Sequence, residues 1–262
     1  MKTRIISGLF MVPLLSIIYF GKIPLIIACM LISLIGIREF FTMYEKNGIR
    51  PSKYLAYFMI LVLYGTHAFI GFKTYFLMLW IFVSIALSLL YGLNVVKRGP
   101  YDSIATIIGL LYLAFFPYHI VLLDGTTHRL MLWMIILAAF GSDIFAYFIG
   151  SFFGKHKMAP NLSPKKSIEG AVGGIVGAGI LGLIFGFLFM KDIWYHCLII
   201  GIIGGIISEC GDLVASSFKR QMGIKDYGNL IPGHGGILDR FDSVIFVAPI
   251  VYYYVIFVIL GI

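Results

Sequence analysis

Between Ser216 and Asp242 the chain reads SSFKRQMGIKDYGNLIPGHGGILDRFD. Lys219, Arg220, Lys225 and Arg240 stand beside Asp226, Asp239 and Asp242, with His234 and several glycines between them. Charge of both signs, permissive backbone and carboxylates three residues apart suit a site for phosphate and metal. Asp239 and Asp242, at i and i+3, share one helix face and, with Asp212, could converge on a divalent cation. Hard oxygen ligands suit Mg²⁺, which takes one or two carboxylates and leaves room for substrate phosphates. His234 lacks the second His or Cys of a zinc site and reads as a donor to phosphate. Pro232-Gly233-His234-Gly235-Gly236 can bring backbone N–H groups close to an anion.

A second polar stretch reads Asn161-Leu162-Ser163-Pro164-Lys165-Lys166-Ser167-Ile168-Glu169-Gly170. Ser163 or Ser167 could cap a following helix, whose N-terminus favours an anion. Lys165 and Lys166 would reinforce it. The bland alternative is a solvated basic loop facing anionic lipid.

Three carboxylates, Asp143, Glu209 and Asp212, lie inside apolar runs. A charge at that depth costs several kcal/mol, so each needs a partner or a task. Glu209 and Asp212 share a helix face, with Ser216 one turn on and Lys219 near the helix end. This pattern predicts a polar pocket open to one side of a membrane. Structural pairing with a nearby Lys or Arg is the competing reading.

The elements that must position these residues are apolar helices. The chain has 262 residues, 60% hydrophobic and 12% charged, with mean hydropathy +0.99. Soluble domains are nearer 25% charged. Nine spans are expected, at about 5–20, 24–37, 55–70, 75–93, 103–123, 130–153, 171–190, 194–217 and 244–260. The expected fold is all-α and polytopic, a single transmembrane domain over 1–262. Within it, about 1–130 are N-terminal spans and 131–262 hold the chemistry. Several spans are shorter than the ~20 residues a bilayer core needs, so their ends should extend. Gly21-Lys22-Ile23-Pro24 predicts a very tight turn, and an uncleaved first hairpin is expected in place of a signal peptide.

Of the twenty Lys and Arg, only Lys22, Lys73, Arg129 and Lys191 fall in the loops of one side. The positive-inside rule then places the N-terminus and the 154–170 and 218–243 loops in the cytoplasm, with the C-terminus outside. The net charge of +8 is therefore a topology signal, and a nucleic-acid partner is not expected. Cys29, Cys197 and Cys210 show no ligand spacing and read as small apolar residues. Glycines at 170, 173, 174, 177, 179, 182 and 186 predict close helix packing.

The stretch from Ser216 to Asp242 resembles the phosphatidate cytidylyltransferases, also called CDP-diglyceride synthetases. Their motif runs Ser-x-apolar-Lys-Arg, four residues, Lys-Asp, small and apolar positions, His-Gly-Gly, Asp-Arg-x-Asp. Ser216, Phe218, Lys219, Arg220, Lys225, Asp226, His234, Gly235, Gly236, Asp239, Arg240 and Asp242 fall in register with it. Ser142-Asp143-x-x-Ala146-Tyr147 and Ser163-Pro164-Lys165-Lys166-Ser167-x-Glu169-Gly170 are similar too, Ser167 standing where the family often has Thr. The similarity is strong over about 142–242.

The resemblance implies CTP + phosphatidate → CDP-diacylglycerol + pyrophosphate, in phospholipid biosynthesis. It implies a Mg²⁺-dependent homodimer working at the cytoplasmic face of a bacterial inner membrane, with a paired-cation site at Asp212 and Asp239 and K⁺ as a candidate second ion. Catalytic roles are expected for Asp212, Asp239, Lys219, Lys225 and Asp242, with Asp143 and Glu209 as further candidate metal ligands. Ser163, Lys165, Lys166, Ser167, Ser216, Arg220, Asp226, His234, Gly235, Gly236 and Arg240 are expected to bind substrate. Two alternatives remain: a CTP-dependent polyprenol kinase, whose alcohol nucleophile would favour a general base, and an ion-coupled transporter, whose acids should lie midway between inverted halves.

Overall fold

A computed structural model of the chain describes residues 12–94, 96–230 and 235–262, with the side chains of 12–15 left aside. Two compact units emerge, Met1–Leu122 with Met222–Arg240, and Leu123–Gln221 with Phe241–Ile262.

The first unit begins with α1 (Val12–Phe20), α2 (Lys22–Lys46), α3 (Lys53–Ile70), α4 (Thr74–Tyr91) and α5 (Pro100–Leu110). A π-helical turn at Leu111–Phe115 joins α5 to α6 (Phe116–Asp124). The tight break predicted near Lys22 is a single residue, Gly21, with φ of 60° there and 48° at Lys22. Pro100 suits the first turn of α5, where its missing N–H costs nothing. Asp102 closes that turn, accepting from Gly99 N at 2.8 Å and from Arg50 N at 2.6 Å. Ile37, Phe40, Phe41, Met59, Ile60, Tyr64, Leu110 and Leu113 form its core.

The second unit holds α7 (Leu132–Phe153), a hairpin of β1 (Lys157–Ala159) and β2 (Ser163–Ser167), α8 (Ile168–Phe189) and α9 (Trp194–Gln221). It also takes α10 (Leu238–Tyr254) from Phe241 onward, ending in a π-helical turn at Val255–Ile259. The glycines of α8 are packing positions. A Cβ on Gly174 would stand 2.8 Å from the Ser142 carbonyl oxygen, and one on Gly201 of α9 2.5 Å from that of Ala178. Helices with small residues at their crossings approach to backbone contact.

Among the described residues, eight helices are long and apolar enough to cross a membrane. The architecture is an all-α polytopic membrane protein. Of the predicted first span, 5–20, only Val12–Phe20 lies within the described residues, and it is helical. Other ends extend, as the bilayer requires: α8 starts at Ile168, α9 runs to Gln221 and α10 starts at Leu238. The largest correction is α2, predicted to stop at Ile37 and observed to reach Lys46. No Gly or Pro interrupts REFFTMYEK, so Arg38 and Glu39 belong to the helix and not to a loop. The 154–170 stretch contains the β1–β2 hairpin, an element too short to announce itself by alternation.

Candidate active site

The residues singled out by the sequence divide between the two units. In the second unit α9 carries Glu209, Asp212, Ser216 and Lys219 on one face. Glu209, Ser216 and Lys219 are buried. The β1–β2 hairpin lies against this helix. Lys166 places its Nζ 2.7 Å from Glu209 Oε2 and 2.6 Å from Asp212 Oδ2. Lys166 is half-buried between these acids, while its neighbour Lys165 stays exposed. Burial disfavours the Lys166 ammonium, but the Asp212 and Glu209 carboxylates outweigh it and push its pKa up to about 12. Lys166 is thus held as a cation between two acids.

The other Glu209 oxygen, Oε1, is shut from solvent and has no hydrogen-bond partner among the described residues. A buried acceptor left unmade costs about 1–3 kcal/mol, so this atom calls for a donor or cation.

The hairpin is fastened at further points. Ser167 caps α8 by accepting from Gly170 N at 3.1 Å. Ser163, the other candidate cap, sits on β2 and is half-buried. Glu169, which the motif contained without an assigned role, accepts from Lys155 N at 3.1 Å and pairs with His156 Nδ1 at 2.6 Å. Arg220 Nε donates to the Leu162 carbonyl at 3.2 Å. Asp242, on α10, is buried, accepts from Ser243 N at 2.8 Å and lies in the electrostatic reach of Asp212, Lys219 and Asp143. Asp143 is exposed on α7.

In the first unit Tyr227, Gly228, Gly236, Ile237 and Leu238 lie against α2. Lys225 and Asp226 are exposed, and Gly235 adopts φ of 89°. Asp239 Oδ2 accepts from Tyr227 N at 2.8 Å and Gly236 N at 3.0 Å. Arg240 Nε is buried without a hydrogen-bond partner among the described residues. His234 lies outside the described residues.

One buried carboxylate here escaped the sequence reading. Glu39, 9% exposed, accepts from Ile237 N at 3.0 Å and Leu238 N at 2.9 Å. The misplaced end of α2 hid it. An acid inside a 25-residue apolar helix would have drawn the same attention as Asp143, Glu209 and Asp212.

Among the described residues no three His, Cys, Asp or Glu side chains are gathered as a metal-ligand set. The donors present still suit a hard cation. They are carboxylate oxygens, one of them orphaned at Glu209, and Mg²⁺ needs only one or two from the protein when substrate phosphates complete its shell. Carboxylates held beside a lysine in a membrane helix suit the class of membrane enzymes that handle phosphoryl groups.

The comparisons agree with that class. The chain matches the Cytidylyltransferase family over residues 2–258 and belongs to it. A protein of Synechocystis sp. named phosphatidate cytidylyltransferase is 31% identical over 292 residues, covering 97% of this chain and 96% of that protein. Phosphatidate cytidylyltransferases of Bacillus subtilis and Staphylococcus haemolyticus are 47% identical over 113 residues and 43% over 129. These two matches span 42% and 48% of the relatives' own length, and 43% and 48% of this chain.

Proposed function

We propose that this protein is a phosphatidate cytidylyltransferase, joining CTP and phosphatidate into CDP-diacylglycerol with release of pyrophosphate. The observation that carries the reading is the similarity to the Synechocystis enzyme along nearly the whole of both chains. The site chemistry supports it. The nucleophile is a phosphomonoester oxygen whose second pKa is near 6, so it is largely ionised and needs no general base. It attacks the α-phosphorus of CTP, the bond to the β-phosphate bridging oxygen breaks, and pyrophosphate leaves. What the protein must supply is neutralisation and in-line placement of two anions.

Asp212 and Asp239 are each proposed as Mg²⁺ ligands, with Asp143 and Glu209 as further candidates and K⁺ as a candidate second ion. A divalent cation at these carboxylates would neutralise charge on the CTP phosphates. Lys219, Lys225 and Asp242 are proposed to act at the reacting phosphates. Ser163, Lys165, Lys166, Ser167, Ser216, Arg220, Asp226, His234, Gly235, Gly236 and Arg240 are proposed to hold substrate. The buried, unpartnered Arg240 Nε supports an anion there. A homodimer is proposed as the working form.

The proposed setting is a bacterial inner membrane with the 154–170 and 218–243 stretches on the cytoplasmic side, where CTP is, and Ile262 outside. The basic asymmetry supports it. A reporter active only outside the membrane should work after Ile262 and be silent in 154–170; the opposite pattern overturns this topology.

The activity is tested with purified protein in detergent, given CTP, Mg²⁺ and phosphatidate. Pyrophosphate and CDP-diacylglycerol should appear in equal amounts. Turnover of a polyprenol with CTP, and none of phosphatidate, would replace the reading with the kinase alternative.

A further inference from the structure

We infer that Glu39 is a positioning residue, the template against which the loop leading to Asp239 and Arg240 is set. The inference rests on the cytidylyltransferase reading and concerns a residue outside the motif that carries it. Glu39 lies 198 positions from Ile237 and 199 from Leu238, yet its two oxygens accept from these two consecutive amides. The first N–H groups of a helix have no partner within the helix itself. Here α2 supplies one to the start of α10, and a negative charge at a helix N-terminus is favourable.

Four further observations show the loop moulded to this carboxylate and to the residues that follow it. Gly228 passes so near that a Cβ there would stand 2.6 Å from Glu39 Oε1. Gly236 packs as closely on the same group. The adjacent Phe40 ring lies 6.2 Å from that of Tyr227, and Asn47 Nδ2 donates to the Met222 carbonyl at 3.2 Å. Glu39 and Phe40 of α2, with Asn47 just past its end, therefore contact the loop at its start, middle and end.

Amides are shared between two acids. Gly236 N goes to Asp239, Ile237 N and Leu238 N to Glu39. With both Glu39 oxygens engaged by backbone, its task is to hold and not to ligate. Remove it and two helix-terminal amides lose their acceptor, two residues or fewer from Asp239. The orientation of the Asp239 carboxylate is then no longer over-determined. Placement errors at a reacting centre reduce the rate even when binding survives.

Three variants test this. Glu39→Gln keeps the size but sets an NH₂ donor against N–H donors. Gly228→Ala keeps Glu39 and wedges the loop off it. Hydrogen exchange at Ile237 and Leu238, measured without substrate, should speed up at least about tenfold in Glu39→Gln, with α7, α8 and α9 unchanged. In the folded fraction kcat should fall at least about tenfold, with the KM for CTP within about threefold. Glu39→Asp, which keeps the charge, should recover part of the rate.

Unchanged exchange at both amides overturns the tether. Faster exchange with full kcat per folded molecule, in Glu39→Gln or Gly228→Ala, reduces Glu39 to a structural residue and overturns the inference. If Glu39→Gln does not fold, Gly228→Ala decides on the same two readouts. Wild-type protein without CTP-dependent turnover of phosphatidate would instead defeat the cytidylyltransferase reading, and the exchange data would still judge the tether.

Discussion

The hairpin of the second unit and the 222–240 loop of the first are fixed by different chemistry. The hairpin's tie to α9 is ionic, through the Lys166 ammonium between Glu209 and Asp212. The loop's tie is neutral on the donor side, with backbone amides of Tyr227, Gly236, Ile237 and Leu238 converging on Asp239 and Glu39. An ionic tie responds to charge, pH and competing cations. The amide tie has donors that carry no charge, so it depends on its two carboxylates staying ionised and is broken by any change that turns acceptor into donor. The difference teaches that one segment can exchange its partner for another cation, while the other is built to stay in place.

Substitution of Asp239 should give the largest effect, because it serves the loop and, as proposed, the metal. Asp239→Asn should lower turnover per folded molecule by at least about a hundredfold, and saturating Mg²⁺ should not restore it. Activity within tenfold of wild type would remove Asp239 from the chemistry. Asp212→Asn should lose turnover similarly. A more stable and still active Asp212→Asn protein would make that residue a structural partner of Lys166.

The ionic tie comes next. Lys166→Met leaves Glu209 and Asp212 without their counter-charge. Breaking a buried pair costs roughly 3–5 kcal/mol, and the partial exposure of Asp212 puts this case at or below the lower end. A fall of several degrees in melting temperature should result, with Lys166→Arg recovering part. A direct consequence is alkaline sensitivity. The Lys166 pKa rises from 10.5 unfolded to about 12 folded. Its contribution is therefore complete below about pH 10.5 and lost as pH climbs through 12, an increment of about 2 kcal/mol. Lys166→Met should lack that step; an identical alkaline profile would contradict the pairing.

Ser167→Ala removes the cap of α8 and should cost about 1 kcal/mol, read as a smaller melting shift with the ionic tie intact. No shift would mean that the hairpin, not the cap, fixes the start of α8. The smallest structural effect belongs to Lys165→Ala. This exposed neighbour of Lys166 should leave stability within about 0.5 kcal/mol while raising the KM for CTP or phosphatidate. Unchanged kinetics for both would return Lys165 to the surface.

These contrasts were only partly legible in the sequence. The apolar runs announced the helices, because membrane spans must satisfy their backbone internally and show it as length and hydropathy. The i and i+3 spacing put Glu209 and Asp212 on one face, and the Ser167 cap could be read from a hydroxyl before an apolar run. Helix ends were less legible, since charged residues such as Arg38 and Glu39 resemble a loop even when the apolar run before them is short of a full span. That misreading concealed Glu39, whose partners lie nearly 200 residues away in sequence and are backbone atoms with no side-chain signature. Lys166 illustrates a second limit. Its type and neighbours suggested a phosphate ligand, and no spacing rule pairs a hairpin lysine with acids 43 residues and more downstream.

The central claim, that this protein transfers a cytidylyl group to phosphatidate, is tested most directly by following two labels. Purified protein is given phosphatidate with CTP labelled at either the α- or the γ-phosphate. The account predicts α-label in the lipid product and γ-label wholly in released pyrophosphate. Label from the γ-phosphate appearing in lipid, or neither label moving with Mg²⁺ and phosphatidate present, would contradict it.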